Sequence, residues 1–194
     1  MEKTTQENSL LDNITSWNVR GLGKIAKLKQ VLNRVKDLKS KIVFIQETHM
    51  NTTDVQRLAK RWPGQVFHAS LNSQARGVAI LIHKLIPFQS TKVIKDPQGR
   101  YIIVQGNILS QKINLINVYG PNDDSPSFFE NLFLTISALE GLYIVGGDFN
   151  CTLDPVLDRS TQRDNTHMKT RKILHNYIHD LRLYDVWRLN NLSK

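Results

Sequence analysis

Four short runs of largely β-branched and aromatic residues each stop abruptly at a cluster of polar side chains, and this pattern restricts the fold more than any other feature of the chain. Ile14 to Trp17 ends in Asn18, and Ile42 to Ile45 ends in Gln46-Glu47-Thr48-His49. Ile113 to Val118 ends in Tyr119-Gly120-Pro121-Asn122, and Leu142 to Val145 leads into Gly147-Asp148-Phe149-Asn150. Such runs read as buried strands, and stiff strands that end in polar groups are a common way of holding a site. Helical periodicity lies between them. Ile25, Leu28, Val31, Leu32, Val35 and Leu38 predict a helix over 25–38, while Val55, Leu58, Ala59 and Trp62 form the stripe of a second. Further strands are expected at Val78 to Ile82 and Tyr101 to Gln105. Pro126 to Leu139 and His167 to Leu183 read as helices. Hairpin-like neighbours among helical crossovers favour an α/β fold of two stacked mixed sheets flanked by helices over one parallel sheet. No repeat or linker marks a second domain, so residues 1–194 are expected to form one.

The 40% hydrophobic content is ample for a core. A lone cysteine, Cys151, excludes an intrachain disulfide framework and fits a reducing compartment, nuclear or cytoplasmic. Met1 to Asn8 lack the apolar core of a secretion signal, and no run is long enough to span a membrane. With 26 Lys plus Arg against 17 Asp plus Glu, the net charge of +9 would attract a polyanion. Basic residues cluster at Lys24, Lys27, Lys29, Arg34, Lys36, Lys39 and Lys41, and again at Arg163, Lys169, Arg171 and Lys172. The early set falls opposite the apolar stripe of the first helix, where it would also serve simply to solvate that face.

If the strand ends share one rim, Asn18, Glu47, Tyr119, Asp148 and Asn150 converge. Two carboxylates, two carboxamides and a phenol, with no cysteine cluster and no P-loop, form a hard oxygen set that suits Mg²⁺ or Mn²⁺ better than Zn²⁺. Magnesium needs only one or two carboxylates beside water and substrate phosphate, which makes Glu47 a metal ligand with Asn18 beside it. Amide and phenol donors could then stabilise a phosphate oxyanion, and Asp148 could position or deprotonate water. Singly, each of these residues is equally at home in an ordinary turn or strand end. Elsewhere the structural reading is preferred: Asp158 with Arg159 as a surface ion pair, Arg76 as a loop charge, Trp187 as a core aromatic and Cys151 as a small packed residue. His175 and His179 read as an ordinary helix face, and His49 as a support beside Glu47.

Ser16-Trp17-Asn18-Val19-Arg20-Gly21, Gln46-Glu47-Thr48-His49, Asn117 to Asn122 and Gly146 to Asn150, in this order, resemble the endonuclease/exonuclease/phosphatase family, which includes exonuclease III and the apurinic endonucleases. Arg76 to Leu81, Asp96 to Tyr101, Leu157 to Ser160 and Leu183 to Trp187 are similar to the endonuclease domain of long interspersed, non-LTR retrotransposon polyproteins. The resemblance implies a four-layer α/β sandwich and magnesium-dependent hydrolysis of a phosphodiester in DNA. It implies a monomeric domain of a larger polyprotein, with no small-molecule cofactor. Asn18 and Glu47 match its metal positions, Tyr119 its phosphate-contacting tyrosine, Asp148 the aspartate near the nucleophile or leaving group, and Asn150 the amide that orients the phosphate. Relatives continue with a Ser-Arg-Ile-Asp-like strand and a Ser-Asp-His motif that are not found in residues 1–194. The expectation is therefore a sandwich lacking its last strands and an impaired nuclease. The alternatives are an apurinic-site repair nuclease or phosphatase of the same superfamily, or an inactive nucleic-acid-binding remnant.

Overall fold

The computed structural model describes residues 13–158 and 167–191. In chain order the elements are β1 (Ile14–Asn18), α1 (Ile25–Asp37), β2 (Ile42–Gln46), α2 (Thr52–Ala59), β3 (Gly64–Ala69), β4 (Val78–His83) and β5 (Phe88–Lys95). They continue with β6 (Tyr101–Ile108), β7 (Gln111–Tyr119), α3 (Pro126–Ser137), β8 (Leu142–Asp148), α4 (Pro155–Asp158), α5 (Met168–Asp180) and α6 (Val186–Asn190). The fold is α/β with two mixed four-stranded sheets, ordered β1-β2-β4-β3 and β5-β6-β7-β8. Strands β3 and β5 escape the sequence reading. Each lies at a sheet edge, and β5 in particular exposes Gln89, Ser90, Lys92 and Lys95, so neither carries the apolar signal of a central strand.

Two compact units are present. The first takes the described part of Met1–Tyr119 together with Gly141–Asp148, and so contains both sheets. Between the sheets, Ile42, Phe44, Val78, Ile80 and Ile82 pack with Ile102, Val104, Ile113 and Leu115. The alternate residues of the first sheet, Val43, Ile45, Ala79 and Leu81, form a second core with Leu28, Val31 and Val35 of α1 and Leu58 of α2. Strands β2 and β4 are thus buried on both faces, which explains their unbroken apolar runs. At the ends of the helices the expected stripes are cut short. Ile25 and Leu38 are exposed, and Trp62 lies beyond α2, buried through its own indole bond to the Ile82 carbonyl at 3.1 Å. The start of α2 is fixed by a capping box between Asn51 and Asp54.

Each sheet contains one parallel pair, β1 with β2 and β7 with β8. Parallel strands finish at the same end, so these pairings set Asn18 opposite Gln46 and Tyr119 opposite Asp148.

The second unit comprises Gly120–Glu140 and the described part of Phe149–Lys194. Within it Phe133 of α3 stacks on Tyr177 of α5 at 4.7 Å, and Phe129 stacks on Phe149 at 6.1 Å. Asp124 accepts from the Lys169 and Thr170 amides at the start of α5. Trp187 is not the core aromatic expected of it, since it is 59% exposed on the short α6. Asp158 pairs with Arg188 at 2.6 Å; Arg159, its expected partner, lies outside the described residues, as do Ser160 and Arg163. His175 approaches the Leu153 carbonyl and His179 its neighbour Asp180, consistent with a plain helix face. Cys151 is half-buried. Among the described residues, no helix is long and apolar enough to cross a membrane.

Candidate active site

The site grows from the last inward-facing position of three strands and from the residue after a fourth. In β1, β7 and β8 the residues at these positions are Asn18, Tyr119 and Asp148, while β2 places Gln46 inward and then turns at Glu47. The Asn18 amide nitrogen donates to Glu47 Oε1 and to Asp148 Oδ2, each at 2.9 Å. Its Oδ1 accepts from the Arg20 backbone N–H at 3.1 Å, which sets the sense of the amide. The Tyr119 phenol bonds to Glu47. Burial, then the bond to Glu47 and the charge of the two carboxylates, push the phenol above its ordinary range despite the opposing Arg100 guanidinium, so it remains a neutral donor. One amide thereby holds two carboxylates together, with a phenol on the first of them.

The structure brings Asn18, Glu47, Tyr119 and Asp148 into this cluster. Asn150 belongs to the second unit, where its side-chain nitrogen donates to the Gly120 carbonyl at 2.9 Å. His49 lies beside the cluster, with Nε2 3.8 Å from Glu47 Oε2.

The loops at this rim are strained and braced. Arg20, Glu47, His49 and Arg76 all adopt positive φ, at 49°, 52°, 48° and 61°. Such backbone costs on the order of 1 kcal/mol or more per residue and persists where surrounding bonds over-determine it, commonly at functional sites. Here the bonds form a continuous ladder. Gly21 N–H donates to Glu47 O, Thr48 N–H to Gly77 O, His49 N–H to Arg76 O, Gly77 N–H to Gly99 O and Tyr119 N–H to Arg100 O. Arg76 also reaches Gln98 Oε1 at 2.9 Å, and the Arg100 guanidinium lies 5.6 Å from the centre of the Tyr119 ring. The Arg76-Gly77 and Asp96 to Arg100 segments, singled out in the sequence without a chemical role, form the frame of the site. Only glycine suits position 77, where φ is +98° and a Cβ would collide with Thr48 Oγ1.

Thr48 is itself anchored by its hydroxyl to His68 Nε2 at 3.0 Å. Burial, assisted by Lys95, lowers the His68 pKa from 6.5 to about 4, so the ring is neutral near pH 7 and can accept from Thr48. Between pH 6.5 and 4 the unfolded chain binds this proton more readily than the folded one does. Stability contributed here is complete above pH 6.5 and is lost as the pH falls toward 4, by roughly 3 kcal/mol at most. Urea unfolding at pH 7 and 4.5 should show a smaller acid loss for His68→Gln than for the unaltered chain; equal losses would remove His68 from the account.

The donor set suits a divalent cation. It is oxygen only. Asn18 Oδ1 keeps a second lone pair beyond the one given to Arg20, and Glu47 has a second carboxylate oxygen. Among the described residues, no group of three or more His, Cys, Asp and Glu side chains forms a ready-made metal cage. An ion that is content with one carboxylate, water and substrate phosphate suits the set, as Mg²⁺ or Mn²⁺ would.

Comparison with known proteins also finds a family for two mixed sheets whose paired strand ends carry clustered carboxylate, amide and phenol groups. Residues 15–188 match the endonuclease/exonuclease/phosphatase family, and the chain belongs to it. It is 30% identical over 186 residues, 92% of its length, to the transposon TX1 uncharacterized 149 kDa protein of Xenopus laevis, of which it spans 14%. Among solved structures it is similar to an AP endonuclease from Archaeoglobus fulgidus, with TM-score 0.70, 22% identity, 93% of this chain and 75% of that one covered. It is also similar to the 3′ phosphatase NExo from Neisseria, bound to a product DNA hairpin, with TM-score 0.60, 22% identity and 86% and 70% covered. At that identity the two structures establish the fold.

Proposed function

We propose that this chain is a Mg²⁺- or Mn²⁺-dependent DNA endonuclease of the retrotransposon type. The observation that carries the reading is the Asn18 amide joining the Glu47 and Asp148 carboxylates, with the Tyr119 phenol on Glu47. Glu47 and Asn18 would hold the cation, which supplies charge neutralisation at the scissile phosphate. Asp148 orients the attacking water or takes its proton. With Glu47 engaged by the cation, the neutral Tyr119 hydroxyl would be released to donate to a phosphate oxygen instead, and Asn150 is assigned to the same phosphate on its motif alone. DNA as partner is supported by the distribution of charge. Eleven Lys and Arg residues lie between Arg20 and Arg61, against three carboxylates, Asp37, Glu47 and Asp54. Helix α1 has no acidic residue in its first turn, where its dipole would favour one, and carries Lys24 at its N-cap. The TX1 likeness supports the retrotransposon assignment.

The test is incubation with supercoiled plasmid, abasic duplex and a 3′-phosphorylated duplex in Mg²⁺ and in EDTA. Cation-dependent nicking of the plasmid is expected. Preference for the abasic duplex or the 3′-phosphate would replace the reading with a repair nuclease or a phosphatase. Salt-sensitive DNA binding with no hydrolysis of any substrate, even in Mn²⁺, would leave only a nucleic-acid-binding remnant.

A further inference from the structure

Two amides buried between the sheets belong to no step above. Gln46 is 1% exposed and Asn117 is fully buried, and both occupy inward positions where the strand pattern calls for an apolar residue. Asn117, from the second sheet, donates to the Ile45 carbonyl at 2.9 Å and to the Ala79 carbonyl at 2.8 Å in the first. Gln46, from the first sheet, donates back to Asn117 Oδ1 at 2.6 Å and to Ser16 Oγ at 3.2 Å. The four bonds tie β1, β2 and β4 to β7.

The packing between the sheets is hydrophobic and non-directional, so it fixes their separation far better than their relative slide. Other side-chain bonds across the gap, such as Asn18 to Asp148 at the rim and Gln65 to the Phe88 carbonyl between β3 and β5, are only part-buried. Hydrogen bonds fix the slide, because a shift would strand several buried polar groups at once. Parallel pairing aligns Asn18 with β2 and Tyr119 with Asp148, but it does so inside each sheet separately. Only a link across the gap can set one pair against the other. Gln46 directly precedes Glu47, and Asn117 stands two residues before Tyr119. We propose that Gln46 and Asn117 are positioning residues, an inter-sheet key that holds Tyr119 and Asp148 against Glu47 and Asn18. The hydrolytic consequence rests on the function proposed above; the geometric claim does not.

Replacing both amides together removes the Gln46–Asn117 bond with both its partners, a change that can leave stability nearly unchanged, while the Ile45 and Ala79 carbonyls and the Ser16 hydroxyl lose only an added donor. The double variant Gln46→Met with Asn117→Leu should keep a cooperative thermal transition. In native-state hydrogen exchange, the amides of Gly21, Thr48, Gly77 and Tyr119 should exchange about tenfold faster or more, while strand-centre amides such as Ile80 and Leu115 change little. In the plasmid assay its turnover should fall about 100-fold with KM unchanged. Unaltered protection at the four rim amides, or a rise matched by the strand centres, overturns the proposal. If the double variant does not fold, Gln46→Met alone keeps both Asn117 donations to the first sheet and gives the same comparison at smaller amplitude. If the unaltered chain nicks nothing, the exchange result still decides the matter.

Discussion

Asp148→Asn should lower the single-turnover rate of plasmid nicking by about 10²- to 10⁴-fold while changing duplex affinity by less than about threefold. The substitution is close to isosteric. An Asn oxygen at the Oδ2 position can still accept from the Asn18 amide, so the geometry that ties the strand ends together is retained. What disappears is the negative charge and the ability to take a proton from water. Under the alternative, in which Asp148 only braces Asn18, the neutral variant should nick nearly as fast as the original. Gel-resolved nicking with saturating protein separates the two, and undiminished cleavage would remove Asp148 from the chemistry.

The largest effect on stability is expected at Gly147. It lies inside β8 opposite Val118, with φ at +143°, a backbone that side-chain-bearing residues rarely adopt. A Cβ there would collide with the Val118 carbonyl and approach its nitrogen to 2.7 Å. Nothing flexible can yield, because both obstacles are backbone in the paired strand. Gly147→Ala should therefore cost about 3 kcal/mol or more and lower the thermal midpoint by roughly 10 °C. The next residue is Asp148, so residual folded protein should also nick poorly. Gly23→Ala is the control, since the nearest atoms to its added Cβ lie at 3.9 and 4.0 Å. Equal midpoints for the two variants would show that β8 adapts more readily than this geometry allows.

The central strands are legible because burial on both faces leaves an unmistakable record: the apolar run Ile42 to Ile45 lies within β2, which extends it only by Gln46. Strands β3 and β5 are not, since β5 is largely exposed and β3 is only partly buried over a short, mixed sequence, and neither carries an apolar run. Trp187 misled for the converse reason: a large aromatic implies a core, yet here it is exposed on a helix of five residues. Four of the five candidate site residues could be grouped from the sequence because each ends an apolar run. The sequence could not reveal that one amide would bridge the two carboxylates, because that depends on strand register. The frame around the site was harder still to see. Backbone bonds among the Glu47, Arg76, Gly99 and Arg100 loops leave no side-chain signature beyond a few glycines. The Gln46 and Asn117 key did leave one, as polar residues in an inward register, but that signal becomes readable only once the register is known.

Calorimetric titration with Mn²⁺ reads cation binding with neither substrate nor turnover. The unaltered chain should bind the ion at one saturable site, and Glu47→Gln, folded and equally stable, should bind it about 10- to 100-fold more weakly. Identical binding curves for the two proteins would contradict a cation site at Glu47.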